Sequence, residues 1–138
     1  MSFEKVTISA QVDAPPETVW TAWTTPDHIT RWNFASDDWC CPSASVDLRP
    51  GGAYRSRMEA KDGSFGFDFT ASYQEVVPQE KASFLMDDGR LAETTFTPVD
   101  GGTQVVTVFD AETQHSVEMQ REGWQAILNN FKAHAESL

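Results

Sequence analysis

The closing stretch, residues 115–138, constrains this chain most. It holds no proline and one glycine, Gly123, and it follows a long run of strand-like and turn-like sequence. At 100° per residue, Val117, Trp124, Ile127, Leu128, Phe131, Ala135 and Leu138 share one stripe about 100° wide. Glu118, Glu122, Gln125, Asn129 and Glu136 lie opposite. A helix of this length spans about 36 Å at 1.5 Å per residue, enough to cross a small sheet. A curved sheet gripping one long helix leaves space between them, so a pocket is expected.

The chain has 138 residues, enough for one domain with a real core and no staples. Its 10 basic and 21 acidic side chains give a formal charge of -11. Nucleic-acid binding needs clustered Lys and Arg to neutralise phosphates, and none cluster here. The same deficit counts against anionic membrane surfaces, and no apolar run approaches a membrane span. The first residues carry no apolar stretch of the signal-peptide kind. Cys40 and Cys41 are adjacent, a poor arrangement for a disulfide or a metal site. A reduced, cytoplasmic protein with no cofactor and no metal is expected.

Residues 3–12 alternate loosely and read as a first strand. Asp13 then looks like a helix cap with proline in the first turn. Pro16, Val19, Trp20 and Trp23 follow the spacing of a short amphipathic helix. Thr25-Pro26-Asp27 ends it and starts a second, through Ile29 and Trp32. From Val46 onward, strands are separated by Asp62-Gly63, Asp88-Gly89 and Asp100-Gly101. A two-residue turn at Asp62-Gly63 sets Met58 opposite Phe67, Ser56 opposite Phe69 and Tyr54 opposite Ala71, with Phe65 and Tyr73 on the same face. Arg57 then meets Asp68 on the other face, so turn chemistry, alternation and charge agree on one register. Two-residue turns at the other pairs put Leu85, Ala92, Phe96, Val105 and Phe109 on one face, and Phe84, Met86, Leu91, Val106 and Val108 on the other. Either the sheet is covered on both sides there, or a bulge shifts the parity.

The predicted class is α+β: one strand, two short helices, six further strands and a long helix gripped by a twisted antiparallel sheet. This is the layout of the helix-grip fold of the START/SRPBCC superfamily. Particular segments resemble the family named after the heat-shock-protein-90 ATPase activator. They are V-D-A-P-P-E-T-V-W-T-A-W-T-T-P-D-H-I-T-R-W at residues 12–32, R-P-G-G-A-Y-R-S-R-M at 49–58, Y-Q-E-V-V-P-Q-E-K at 73–81, D-G-G-T-Q-V-V-T at 100–107 and G-W-Q-A-I-L-N-N-F at 123–131. The resemblance implies a cavity for a lipid-like or polyketide-like molecule. It also implies, from one branch of the family, a chaperone as partner. Asn33 stands where the family often has a second Trp, and the loop Asp37-Asp38-Trp39-Cys40-Cys41 is particular to this chain.

The expected cavity residues are Trp32, Tyr54, Met58, Phe67, Phe69, Phe84, Phe96, Gln120, Trp124 and Leu128. Aromatic walls with a few hydroxyls suit a small apolar ligand. Gln120 lies within the apolar stripe and needs a partner or a wet space. Gly123 is expected to let the helix approach the sheet closely. Trp32 and Phe34 are expected at a rim, where an exposed Trp32–Trp39 pair would also suit a protein contact. No nucleophile motif or metal-ligand spacing emerges. Glu93 is the one catalytic candidate, since the simplest register sets it opposite Phe84, where burial would raise its pKa. A cyclase- or hydrolase-type reaction would need Glu93, Tyr54 or Gln120 in the pocket.

Overall fold

The computed structural model describes residues 3–138. Seven strands form one antiparallel sheet in the order β1-β7-β6-β5-β4-β3-β2. These are β1 (Lys5–Val12), β2 (Trp39–Val46), β3 (Ala53–Ala60), β4 (Gly66–Val77), β5 (Lys81–Met86), β6 (Leu91–Val99) and β7 (Gly102–Asp110). Helices α1 (Pro16–Thr24) and α2 (Pro26–Trp32) follow β1, and α3 (Val117–Glu136) closes the chain. α3 packs chiefly on β1 and α2 on β2, the two edges of the sheet. The middle strands run between these covered edges as the floor of a trough. The fold is the helix-grip arrangement.

Local chemistry sets the element boundaries. Ser116 caps α3 by accepting a hydrogen bond from Met119 N–H, satisfying one of the free donors of the first turn. Asp13 does not cap α1, contrary to expectation. That helix starts at Pro16 with Pro15 at the cap position, where proline's missing N–H loses no bond. Asp13 lies too early in the chain to reach, and its N–H donates instead to the Glu136 carboxylate at 2.9 Å.

The β3–β4 register is the one read from the sequence, with Met58 opposite Phe67, Arg57 opposite Asp68 and Tyr54 opposite Ala71. The loop is longer than two residues, because Ala60 N–H bonds to Phe65 O and leaves residues 61–64 outside the ladder. Both loops centre on the same peptide bond, so both give the same pairing. At β5–β6 the loop length matters. Met86 N–H bonds to Arg90 O at 2.7 Å, closing a three-residue loop of Asp87, Asp88 and Gly89, with Gly89 left-handed at φ +91°. The pairing slips by one residue from the two-residue expectation: Phe84 meets Ala92, and Glu93 meets Ser83. The Asp100-Gly101 turn keeps its expected register, Phe96 opposite Val105 and Ala92 opposite Phe109. One parity change therefore resolves the two-sided pattern. Ala82, Phe84, Met86, Ala92, Thr94 and Phe96 face the trough, and Leu85, Leu91 and Glu93 face out.

The R-P-G-G segment has a backbone role. Gly51 N–H bonds to Tyr73 O and Tyr73 N–H bonds to Gly52 O, fastening the β2–β3 connection to β4. A Cβ on Gly52 would lie 2.0 Å from Asp47 O, so only glycine fits.

Candidate functional site

A cavity of about 210 Å³ occupies the trough. β3 and β4 supply Tyr54, Met58, Phe67 and Phe69, and β5 supplies Phe84. Ala92 and Thr94 of β6, Thr107 of β7 and Ile8 of β1 complete the sheet side. Trp124, Ile127 and Leu128 descend from α3, while Trp23 comes from α1 and Trp32 and Asn33 from the end of α2. No charged side chain is among them.

Aromatic packing holds the walls. Trp124 stacks on Phe109, with ring centroids 4.0 Å apart and planes 7° from parallel. Tyr54 stacks on Phe84 at 5.3 Å. Trp23 and Trp32 stack at 5.0 Å, and Phe131 meets both edge-on. Offset-stacked and edge-on pairs of this kind add to the burial of their surface. The Trp32 indole N–H donates to Ala22 O at 3.0 Å, locking the ring.

The polar groups fall in two places. Near α2, Asn33 Nδ2 donates to Ser56 Oγ at 3.1 Å. The Tyr54 phenol is pushed above its ordinary pKa, first by burial, then by Tyr73 and Cys41 nearby, with Ser56 opposing. It stays protonated at neutral pH. Burial likewise raises the Cys41 thiol, which leaves it unreactive, and its Sγ–H reaches Ser43 O. On the sheet side, Thr94 Oγ1 and Thr107 Oγ1 lie 2.7 Å apart, both buried.

The structure thus brings Trp32, Tyr54, Met58, Phe67, Phe69, Phe84, Trp124 and Leu128 around one cavity. Two expected residues lie elsewhere. Phe96 sits further along β6 under α1, edge-on to Trp20 at 5.5 Å and Trp23 at 6.0 Å. Gln120 ties down the β7–α3 loop. Its Oε1 accepts from Glu112 N–H at 2.8 Å, and its Nε2 donates to Glu112 O and His115 O, both at 3.0 Å. Its polar atoms are satisfied by backbone, so it needs no wet space. Glu93 faces away from the cavity, beside Lys81 Nζ at 3.5 Å, because of the slipped register. That removes it as a buried acid.

Trp32 is buried and forms no exposed pair with Trp39. Trp39 instead meets Phe65 and Phe67, with centroids 5.9 and 6.2 Å away, and those rings are 61% and 42% exposed. Gly123 is not a close-packing site, since a Cβ there would meet nothing within 4 Å. Thr94 and Thr107 escaped the sequence reading although they share the face of Phe96 and Val105. A search for apolar residues passes over paired hydroxyls.

The model of the family described as activator of Hsp90 ATPase homolog 1-like protein matches residues 13–136. The solution structure of an AHSA1-like protein from Aeromonas hydrophila is 47% identical, with TM-score 0.92, over 97% of this chain and 93% of that one. A solution structure from Cytophaga hutchinsonii is 41% identical, with TM-score 0.83, over 96% of this chain and 92% of that one. A crystal structure from Nitrosomonas europaea shares the fold at 20% identity and TM-score 0.85, over 96% of this chain and 94% of that one. No protein of curated function matches the chain. No described helix is long and apolar enough to cross a membrane.

Proposed function

The chain belongs to the activator of Hsp90 ATPase homolog 1-like family, and from that premise we propose that it is a binding protein for a small apolar molecule held in the trough. The observation that carries this reading is the uncharged cavity of about 210 Å³, walled by aromatic rings and crossed by few polar groups. Such a lining gains free energy by covering apolar surface, and its few hydroxyls fix orientation. Native mass spectrometry of freshly purified protein, with solvent extraction of what it carries, tests the reading. A copurified small molecule, displaced in a variant with Leu128→Trp filling the space, is the expected result. An empty protein whose Leu128→Trp variant is markedly more stable would overturn it, because the space would then be a packing defect.

A second reading, contact with a chaperone of the kind the family description names, draws on the exposed rings of Trp39, Phe65 and Phe67. Exposed aromatic clusters suit protein contacts. Retention on an immobilised Hsp90-type chaperone at physiological salt, lost on Phe65→Ser, is the expected result. No retention would end this reading.

A further inference from the structure

The two hydroxyls on the sheet side leave one buried proton without a partner. Thr94 and Thr107 face each other across β6 and β7, 2% and 3% exposed. One hydroxyl donates to the other across 2.7 Å. The accepting hydroxyl keeps its own proton, and neither side chain makes another hydrogen bond among the described residues. Near α2, Asn33 Nδ2 donates to Ser56 Oγ, and the Tyr54 phenol lines the same cavity from the next strand position on that face. A buried hydroxyl proton without an acceptor is unfavourable, and it gains from any acceptor oxygen that enters the cavity.

Charge and size narrow the occupant. An ionised carboxylate, phosphate or ammonium would shed its hydration and meet no counter-charge on the lining. An engineered apolar cavity of about 150 Å³ takes up benzene. A space of about 210 Å³ therefore suits one ring or two fused rings. Trp124 of α3 and Phe69 of β4 both line it.

We infer that the occupant is an uncharged one- or two-ring molecule whose carbonyl, ether or hydroxyl oxygen accepts the free proton of the Thr94–Thr107 pair. This rests on the ligand-binding reading above and names its ligand class. The pair is the polar anchor, and the aromatic walls hold the rings.

Calorimetric titration of the intact protein with three probes tests the inference. α-Tetralone carries two fused rings and a ketone, tetralin the same rings without oxygen, and 2-naphthoate two rings with a charge. α-Tetralone should bind about tenfold more tightly than tetralin, the worth of one good buried hydrogen bond. 2-Naphthoate should bind at least about tenfold more weakly than α-tetralone. The double variant Thr94→Val with Thr107→Val keeps the side-chain shapes and removes both partners together. It should bind tetralin as before and lose the preference for the ketone. Equal binding of tetralin and α-tetralone, naphthoate binding as tight as the ketone, or a preference that survives in the double variant would each overturn the inference. If the double variant does not fold, the three probes on the native protein decide alone. Tetralin binding without preference would leave the ligand-binding reading standing, whereas failure of all three probes would remove both.

Discussion

His28 Nδ1 lies 2.9 Å from His134 Nε2, so an imidazole pair joins α2 to α3 across the end of the trough. The bond needs one nitrogen to donate and the other to accept, which two charged rings cannot do.

Burial first, then His28 and Arg31 nearby, hold the His134 pKa below the ordinary imidazole value of about 6.5. The folded state therefore takes up its proton later than the unfolded chain as pH falls. The pair's stabilisation is complete above about pH 6.5 and is lost as pH falls through the lower, folded value. Urea midpoints measured from pH 7.5 to 5.5 should decline for the native protein and stay flatter for His134→Gln. Parallel slopes in both proteins would show that the pair does not link folding to pH.

Trp124 has one face on Phe109 and contributes to the cavity wall, so its deletion loses fewer packed neighbours than that of a fully enclosed ring. Trp124→Ala should destabilise by about 2–3 kcal/mol, below the 3–5 typical of buried aromatics. Trp124→Phe keeps the stack and should cost about 1 kcal/mol. Chemical denaturation checks both, and a loss above about 4 kcal/mol for the Ala variant would mean the cavity wall is solid core.

Gln120→Leu keeps bulk but removes the side-chain hydrogen bonds that tie down the loop before α3. The Glu112 N–H is then left without an acceptor, and the change should cost about 2 kcal/mol. Amide exchange should speed up at Glu112 while ligand retention stays unchanged. Lost retention with unchanged exchange would return Gln120 to the cavity.

Gly123→Ala should stabilise the protein by about 0.5–1 kcal/mol, since the added methyl meets open space and the helix loses its most flexible residue. A rise of about 2–4 °C in Tm is the expected reading. A fall would show that the sheet presses on this turn after all.

The helix α3 and the β3–β4 hairpin were legible because independent signals agreed on them. For α3 these were the apolar stripe and the absence of breakers. For the hairpin they were the turn dipeptide, the alternation and the Arg57–Asp68 pair. Nearly half of the cavity wall followed from those two elements. β5 and β6 were harder, because Asp-Gly serves both two-residue loops and three-residue loops that end in a left-handed glycine. Only the Met86–Arg90 bond distinguishes them, and it depends on the folded backbone. Gln120 shared the spacing of the apolar stripe, but a loop folded back over it, which periodicity on α3 does not reveal. His28 and His134 are far apart in the chain and meet only because α2 and α3 converge.

The loop of Asp87, Asp88 and Gly89 works as a phase setting for the cavity's chemistry. Closed as two residues, Asp88 and Gly89, the same turn would carry β6 out of step by one. Glu93 would then stand opposite Phe84, where Ala92 now stands, and its cross-strand neighbour Val108 would turn to the cavity face with it. A neutral, hydroxyl-bearing pocket would become one with a carboxylate in its floor, without any substitution among the residues that line it. In a sheet of this kind, the way a distant turn closes is a route by which one scaffold moves between classes of ligand.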